Sequence, residues 1–278
     1  MKSTFQRGKV ILIGAGSGDP ELLTVKGMRF LQHADVILTD RLVSPAILEM
    51  FASPQAQVIY VGKQCRKGAS TPQATINELM VLYAQDNKRV VRLKGGDVSI
   101  FSNILDELET LVQYQIPYEI VPGITAALGA AAYAGMPLTA RNHSTAVRLL
   151  TAYKWDVVSE DYWQELAQTD DTLVFYMSSE TVAHVVKQLT KYGIDAEKKL
   201  AIVEQATTPY QQVYTTSLYE FTQKFGDRKF LSPSLVVIGK VVNLHAQFQW
   251  LPSNNEVTEY FKSETIVAAE KEQLALTA

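Results

Sequence analysis

The stretch Val10-Ile-Leu-Ile-Gly-Ala-Gly-Ser-Gly-Asp19 decides the fold class of this chain. A short apolar run that ends at glycine predicts a buried strand. The small residues that follow predict a loop whose backbone can approach a ligand closely. The same arrangement recurs at Val90-Val-Arg-Leu-Lys-Gly-Gly-Asp97. The sequence therefore predicts two glycine-rich loops, each at the carboxyl end of a strand.

Strand-like and helix-like segments alternate through the first half of the chain. The apolar runs predict further strands at 36–39, 58–61, 89–93 and 118–121. Helical spacing and capping residues predict helices at 24–33, 44–51, 71–85 and 106–114. Such alternation is typical of a parallel sheet covered on both faces. Ligands of these sheets bind beyond the carboxyl ends of the strands.

The second half predicts a different α/β unit. An alanine-rich helix at 125–134 opens it, and strands are predicted at 147–151, 172–177, 200–204, 212–216 and 235–239. No long helix precedes the last two strands, so this sheet is predicted to be mixed. We expect an N-terminal α/β domain at 1–123 and a C-terminal α/β domain at 124–246. The acidic segment 247–278 is expected to be a loose tail.

Composition limits the class of protein. The 278 residues carry 26 Lys and Arg against 29 Asp and Glu, a net charge of −3, which argues against a nucleic-acid partner. The single cysteine, Cys65, excludes an intrachain disulfide, and no metal site is expected. We expect neither a secretory signal nor an apolar run long enough to span a membrane. We therefore expect a cytoplasmic protein without membrane contact.

Two charged residues that follow apolar strands are candidates for acid–base chemistry. Asp40 follows the second predicted strand and Lys63 the third. A carboxylate there can accept a proton from a substrate, and a lysine can donate one or bind a substrate carboxylate. A helix cap for Asp40 and a surface charge for Lys63 are the alternatives. Cys65 has no histidine near it in sequence, so it is not expected to be a nucleophile.

Taken in order, several segments resemble one family. They are VILIGAGSGDPELLTVKG, ADVILTDRLVS, VVRLKGGD and VPGITAALGAAAYAGMPLT, and they are similar to segments of the uroporphyrinogen-III C-methyltransferases, which are tetrapyrrole methyltransferases. The resemblance runs from about Lys9 to Leu244. It implies a homodimer whose protomers each bind S-adenosylmethionine in the cleft between two α/β domains. It also implies methylation of two pyrrole carbons of uroporphyrinogen III, which yields precorrin-2 and S-adenosylhomocysteine, for sirohaem or cobalamin.

The resemblance also implies roles for individual residues. Asp40 matches the proton acceptor of the family, and Lys63 matches the proton donor. The implied cofactor contacts are Gly14, Gly16, Ser17, Gly95, Gly96, Asp97, Ile100, Thr125, Ala126, Met177 and Ala206. The substrate carries carboxylates, which arginine binds in a bidentate manner. The implied substrate contacts are Arg41, Lys63, Arg66 and Arg141.

The sequence departs from the family pattern where substrate would be bound. Residues 98–107 replace a loop that is rich in glycine and arginine. Residues 139–142 and 151–153 lack a histidine, and the former also lack an acidic residue. Two alternatives follow: methylation of another tetrapyrrole, and a catalytically silent relative that only binds S-adenosylmethionine. The presence of both Asp40 and Lys63 favours an enzyme.

Overall fold

The chain divides into two compact units. The computed structural model describes residues 6–61, 71–151, 158–226, 228–252 and 258–262. The first unit comprises Met1–Thr125 with Glu259–Ala278, and the second comprises Ala126–Thr258. None of the helices within these described ranges combines the length and apolar character that crossing a membrane requires.

The first unit contains a parallel five-stranded sheet. Its strands are β1 (Val10–Gly14), β2 (Val36–Thr39), β3 (Gln57–Tyr60), β4 (Val90–Lys94) and β5 (Tyr118–Val121). They lie in the order β3-β2-β4-β1-β5, and every neighbouring pair is parallel. The predicted parallel sheet is confirmed. Because the strands are parallel, all of their carboxyl ends lie along one edge of the sheet.

Four helices accompany this sheet. They are α1 (Val25–Leu31), α2 (Pro45–Phe51), α3 (Gln73–Gln85) and α4 (Ile104–Gln113). Side chains alternate between the faces of a strand, so Ile11 and Ile13 of β1 pack in one core with α1 and α2. Val10 and Leu12 pack in the other core with α3 and α4. By the same alternation, residues 90, 92 and 94 of β4 belong to the face that α3 and α4 cover.

Part of the segment that was expected to form a tail belongs to the first unit. Ser44, at the start of α2, forms a hydrogen bond of 2.7 Å with the Tyr260 hydroxyl. Phe261 is buried, and its ring lies edge-on to that of Tyr260. These contacts fix the described residues 259–262 within the first unit.

The second unit contains the mixed sheet that the sequence predicts. Its strands are β6 (Val147–Thr151), β7 (Thr172–Tyr176), β8 (Lys199–Glu204), β9 (Gln212–Ser217) and β10 (Ser234–Gly239), in the order β6-β7-β10-β8-β9. β6 and β7 are parallel, whereas β10 is antiparallel to both β7 and β8. The carboxyl ends of β7 and β8 therefore lie along the same edge of this sheet.

Helices cover the second sheet with side chains of different size. The helices are α5 (Ala126–Tyr133), α6 (Glu160–Gln168), α7 (Val182–Lys191), α8 (Phe221–Phe225) and α9 (His245–Phe248). Small side chains of α5, such as Ala127 and Ala130, are fully buried against one face. Larger residues of α6, α7 and α8 form the core on the other face. The backbone of α9 lies so near the turn after α5 that a Cβ on Gly135 would overlap the Phe248 oxygen.

Candidate functional site

Two glycine-rich loops of the first unit pair with each other through their backbones. Gly16 donates its N–H to the oxygen of Gly96 at 3.1 Å, and Gly96 donates to the oxygen of Gly16 at 2.7 Å. Both residues have a positive φ, 81° and 69°, which glycine adopts without the steric cost that other residues meet. The loops after β1 and β4 are therefore joined at the carboxyl edge of the sheet, where ligands of such sheets bind.

Asp97 connects this pair of loops to a third. Its Oδ2 accepts a hydrogen bond of 2.9 Å from the N–H of Gly123, which follows β5. Its Oδ1 accepts one of 2.8 Å from the N–H of Ser99. The carboxylate thus holds the loop after β5 against the loop after β4. This structural role of Asp97 was not predicted, and its predicted contact with the cofactor stays a prediction.

The Asp40 carboxylate lies at the same edge of the sheet, directly after β2. Its backbone N–H donates to the oxygen of Leu93 at 3.0 Å. Its Oδ1 accepts a hydrogen bond of 2.6 Å from Nη2 of Arg92, and the side chain is 28% exposed. Asp40 is not a helix cap, because α2 begins at Pro45 with Ser44 at its N-cap. A carboxylate held on one side and open to solvent on the other can accept a proton from a ligand.

A buried network of charges lies behind Asp40. Arg92 donates from Nε to Oε1 of Glu107 at 2.9 Å, and Lys94 donates to both oxygens of Glu107 at 2.8 Å. Nη1 of Arg92 donates to the main-chain oxygens of Leu38 and Leu93, at 3.3 and 3.2 Å. Arg92 and Lys94 are each 3% exposed, and Glu107 is fully buried. The network therefore places two cations and one anion in the core, with Asp40 as the second anion at its edge.

The pKa values of the two buried cations are shifted in opposite directions. Burial disfavours the charge on Arg92, but the carboxylates of Asp40 and Glu107 outweigh it and raise the pKa of Arg92 above its ordinary value. Burial and the neighbouring charge of Arg92 lower the pKa of Lys94, although Glu107 opposes this shift. Arg92 is thus the permanent cation of the network.

Sequence reasoning missed Arg92, Lys94 and Glu107. A signal was present, because two of them stand in an apolar strand of a sheet predicted to be covered on both faces. Lysine and arginine are almost never fully buried unless they are paired. The partner could not be identified, since Glu107 reaches Arg92 only when α4 packs on β4.

The remaining predicted positions of the first unit follow the same strands. Ser17 lies in the first glycine loop and Gly95 in the second, and Arg41 directly follows Asp40. Ile100 lies further along the second loop, and Thr125 follows β5. The structure brings Asp40 and the predicted glycines of this unit to one edge of the sheet. Lys63 and Arg66 lie outside the described residues, so their predicted roles stay predictions.

In the second unit, strained backbone marks the carboxyl ends of β7 and β8. Met177, Gln205 and Thr207 are left-handed, with φ of 53°, 48° and 65°. For residues other than glycine this conformation costs roughly 1–3 kcal/mol and is concentrated at functional sites. The side-chain oxygen of Gln211 accepts a hydrogen bond of 2.9 Å from the N–H of Thr207 and so supports the turn. Ala206 is buried within this turn.

Four predicted positions of the second unit can thus be placed. Met177 is 52% exposed directly after β7, and Ala206 follows β8. Ala126 is the first residue of α5. Arg141 lies exposed in the loop before β6. The sequence did not predict roles for Gln205 and Thr207, because positive φ at these residue types has no sequence signal as clear as glycine.

Residues 9–222 match the family described as Tetrapyrrole (Corrin/Porphyrin) Methylases. The chain belongs to this family. This methylase is 45% identical over 252 residues to the siroheme synthase of Nitrosomonas europaea, and the match covers 91% of the methylase and 53% of that relative. The chain spans about half the length of the curated relatives it matches. The predicted family is confirmed.

Solved structures support the same fold. The uroporphyrin-III-C-methyltransferase of Thermus thermophilus is 31% identical, with a TM-score of 0.73, and the match covers 90% of this methylase and 100% of that chain. A second structure from Thermus thermophilus, of uroporphyrin-III C-methyl transferase complexed with S-adenyl homocysteine, is 33% identical with a TM-score of 0.71. That match covers 85% of this methylase and 99% of the other chain.

The loop that departs from the family pattern has an unusual backbone. Phe101 and Asn103 are left-handed, with φ of 51° and 53°. The side chains of Phe101 and Leu105 are 44% and 63% exposed. Ser102 donates its hydroxyl to the oxygen of Val98. This methylase thus presents apolar side chains where the family pattern has glycine and arginine.

Proposed function

We propose that this chain is an S-adenosylmethionine-dependent C-methyltransferase that converts uroporphyrinogen III to precorrin-2. The observation that carries the proposal is the Asp40 carboxylate, which Arg92 holds at the sheet edge where the glycine loops lie. A general base is needed because the ring becomes cationic when a substituted pyrrole carbon takes the methyl group, and a pyrrole N–H or a bridging carbon must then release a proton. The family membership and the similarity to the Thermus thermophilus structures support the choice of reaction.

The glycine loops fit the proposed cofactor. Residues without side chains let a ligand approach the backbone, and Asp97 fixes the loops against each other. Gly95, Gly96, Asp97 and Ile100 would hold the cofactor in the first unit. Met177 and Ala206 are the proposed cofactor contacts of the second unit. When bound, S-adenosylmethionine supplies a methyl group activated by its sulfonium centre.

The residues of this chain then orient the substrate and move protons. Asp40 accepts the proton that leaves the methylated ring, or polarises a pyrrole N–H. Arg41, next to Asp40, and Arg141 bind substrate carboxylates, as does Arg66. Lys63 is proposed as the proton donor. Arg92 is not proposed to bind substrate, because Asp40, Glu107 and two main-chain oxygens engage its donors.

Methyl incorporation tests this proposal. The purified protein is incubated anaerobically with uroporphyrinogen III and methyl-labelled S-adenosylmethionine, and the oxidised product is analysed by mass spectrometry. We expect a mass gain of two methyl groups. Asp40→Asn should bind S-adenosylmethionine as the unsubstituted chain does, and its turnover should be slower by about 100-fold or more. No gain of mass with intact cofactor binding would overturn the assigned reaction.

A second candidate is methylation of another tetrapyrrole. The observation that favours it is the apolar loop at 98–105, in which Phe101 and Leu105 are exposed. A less carboxylated ring would suit such a loop better than uroporphyrinogen III does. Competition between uroporphyrinogen III and a tetrapyrrole with fewer carboxylates, such as coproporphyrinogen III, for labelled methyl groups separates the two candidates.

Assembly and location belong to the same proposal. We propose a homodimer, as the family resemblance implies, and a cytoplasmic location. Sedimentation equilibrium of the purified chain tests the dimer, and fractionation of the producing cell tests the location. A monomer at micromolar concentration would overturn the proposed dimer.

A further inference from the structure

We propose that Arg92 is a positioning residue that orients the Asp40 carboxylate for proton transfer, and that Glu107 and Lys94 fix Arg92 for this task. This inference rests on the proposed function, in which Asp40 accepts the proton. Arg92 would act through Asp40 and would not touch the substrate. Nothing in the family comparison assigns this role.

The guanidinium of Arg92 is fixed on three sides. Nε is bonded to Glu107, and Nη1 is bonded to the oxygens of Leu38 and Leu93 near the ends of β2 and β4. Only Nη2 is directed at Asp40, and it contacts Oδ1 at 2.6 Å. Because a guanidinium is planar and rigid, these bonds determine where the Asp40 carboxylate is held. Oδ2 is not engaged by Arg92, so the arrangement leaves one oxygen for a proton.

The charge balance assigns Asp40 to Arg92. Lys94 contacts both oxygens of Glu107, and this pair is neutral by itself. The remaining buried charge is the guanidinium of Arg92, whose second carboxylate contact is Asp40. Because the Lys94–Glu107 pair needs no further partner, the bond from Nη2 of Arg92 is left to hold Oδ1 of Asp40 in place.

A second arginine–aspartate pair of the same two strands shows what a purely structural contact looks like. Arg89 and Asp35 directly precede β4 and β2, at the opposite edge of the sheet. Arg89 donates from Nε and Nη2 to the two oxygens of Asp35, at 3.0 and 2.7 Å. The two side chains are 29% and 27% exposed. This pair provides the matched control.

The test compares Arg92→Gln, Arg92→Lys and the control Arg89→Gln. The hydrogen bonding of the Asp40 carboxylate is measured by infrared difference spectra of each protein against the same protein carrying Asp40→Asn, at one pH. Single-turnover methyl transfer to uroporphyrinogen III is measured as a function of substrate concentration, which separates the rate of transfer from substrate affinity. Arg92→Gln is expected to fold, because it leaves the Lys94–Glu107 pair balanced.

In Arg92→Gln the carboxylate bands of Asp40 should shift, because the charged bond to Oδ1 is lost. Its single-turnover rate should fall about tenfold or more, whereas substrate affinity should stay within about twofold. Arg92→Gln should lower the rate no further when Asp40→Asn is already present, because Arg92 acts through Asp40. Arg92→Lys should restore the rate only in part, because one ammonium cannot replace four directed bonds. Arg89→Gln should change neither the bands nor the rate, and S-adenosylmethionine affinity should stay within about twofold in all three.

Two results would overturn the inference. One is a set of Asp40 carboxylate bands that is the same in Arg92→Gln and the unsubstituted chain. The other is an equal loss of rate from Arg92→Gln with and without Asp40→Asn, since a structural defect does that. If the unsubstituted chain transfers no methyl group, the proposed function fails, but the infrared spectra still decide whether Arg92 holds Asp40. If Arg92→Gln does not fold, Arg92→Lys is measured in the same two ways.

Discussion

Gly14 and Gly123 lie so close that neither has room for a side chain. A Cβ on Gly123 would lie 2.6 Å from the carbonyl carbon and oxygen of Gly14, and one on Gly14 would lie 2.6 Å from the N–H nitrogen of Gly123. A Cβ on Gly123 would also lie 2.3 Å from the oxygen of Gly96. The loops after β1, β4 and β5 therefore meet backbone against backbone, and Asp97 fastens the third loop to the second.

Gly123→Ala should separate these loops. The added methyl group would overlap backbone atoms, which cannot move aside as a flexible side chain can. We expect a loss of about 2–3 kcal/mol in the free energy of unfolding, and S-adenosylmethionine affinity reduced about tenfold or more. Urea unfolding followed by circular dichroism and equilibrium dialysis measure the two effects.

Gly193→Ala is the control for that substitution. Gly193 has a φ of +70°, and a Cβ added there would have no neighbouring atom within 4 Å. Its replacement should cost only the backbone penalty of about 1–2 kcal/mol and leave cofactor affinity unchanged. Equal cofactor affinity in the two alanine variants would contradict the role assigned to the loop contact.

Asp97→Asn should weaken the contact between the loops that follow β4 and β5. An amide can accept one of the two backbone hydrogen bonds but presents N–H₂ to the other N–H. Leaving one partner unsatisfied costs about 1–3 kcal/mol, and cofactor affinity should fall with it. Asp195→Asn is the control, because Oδ1 of Asp195 accepts the same local bond, from Glu197 N–H at 2.9 Å, near the surface. A control variant that loses as much stability as Asp97→Asn would count against this assignment.

The strands could be predicted because their signals are local. Each apolar run is bounded by glycine, proline or charge, and β4, predicted from residue 89, begins at Val90. The mixed character of the second sheet could be predicted because no long helix precedes either of its last two strands. Strand order and register were not predicted, since they depend on contacts between residues far apart in sequence.

The candidate site could be predicted only in part. The glycine loops and Asp40 stand at strand ends, which a parallel sheet collects at one edge. The contact between Arg92 and Glu107 was beyond prediction, because it depends on how α4 packs. The left-handed conformation of Gln205 and Thr207 was missed for a similar reason. It is stabilised by tertiary contacts and not by a local preference of these residue types.

The ion pair of Asp35 and Arg89 should make stability depend on acidic pH. Hydrogen bonds from Arg89 lower the pKa of Asp35 from 3.8 to about 2. A carboxylate with a lowered pKa stabilises the folded state above its unfolded pKa, and this contribution disappears as the pH falls from about 4 to about 2. Because both groups are partly exposed, we expect at most about 2 kcal/mol. Asp35→Asn should lose this contribution at pH 6 and match the unsubstituted chain near pH 2, in urea unfolding at each pH. A constant difference between the two across that range would contradict the linkage.

Titration of Glu204 should lower the stability of the fold as the pH rises, whereas titration of Asp35 lowers it as the pH falls. Glu204 is 1% exposed in β8, and burial raises its pKa, although the N–H of Leu231 and the charge of Arg228 oppose the shift. Since the folded state holds the proton more tightly than the unfolded chain, stability should fall as the pH rises from the unfolded pKa toward the raised one. Glu204→Gln should remove this decline, because an amide oxygen can still accept the 2.6 Å bond from Leu231 but carries no charge. Urea unfolding between about pH 4 and 8 measures the slope. A Gln variant whose stability declines as steeply as that of the unsubstituted chain would show that Glu204 is not the titrating group.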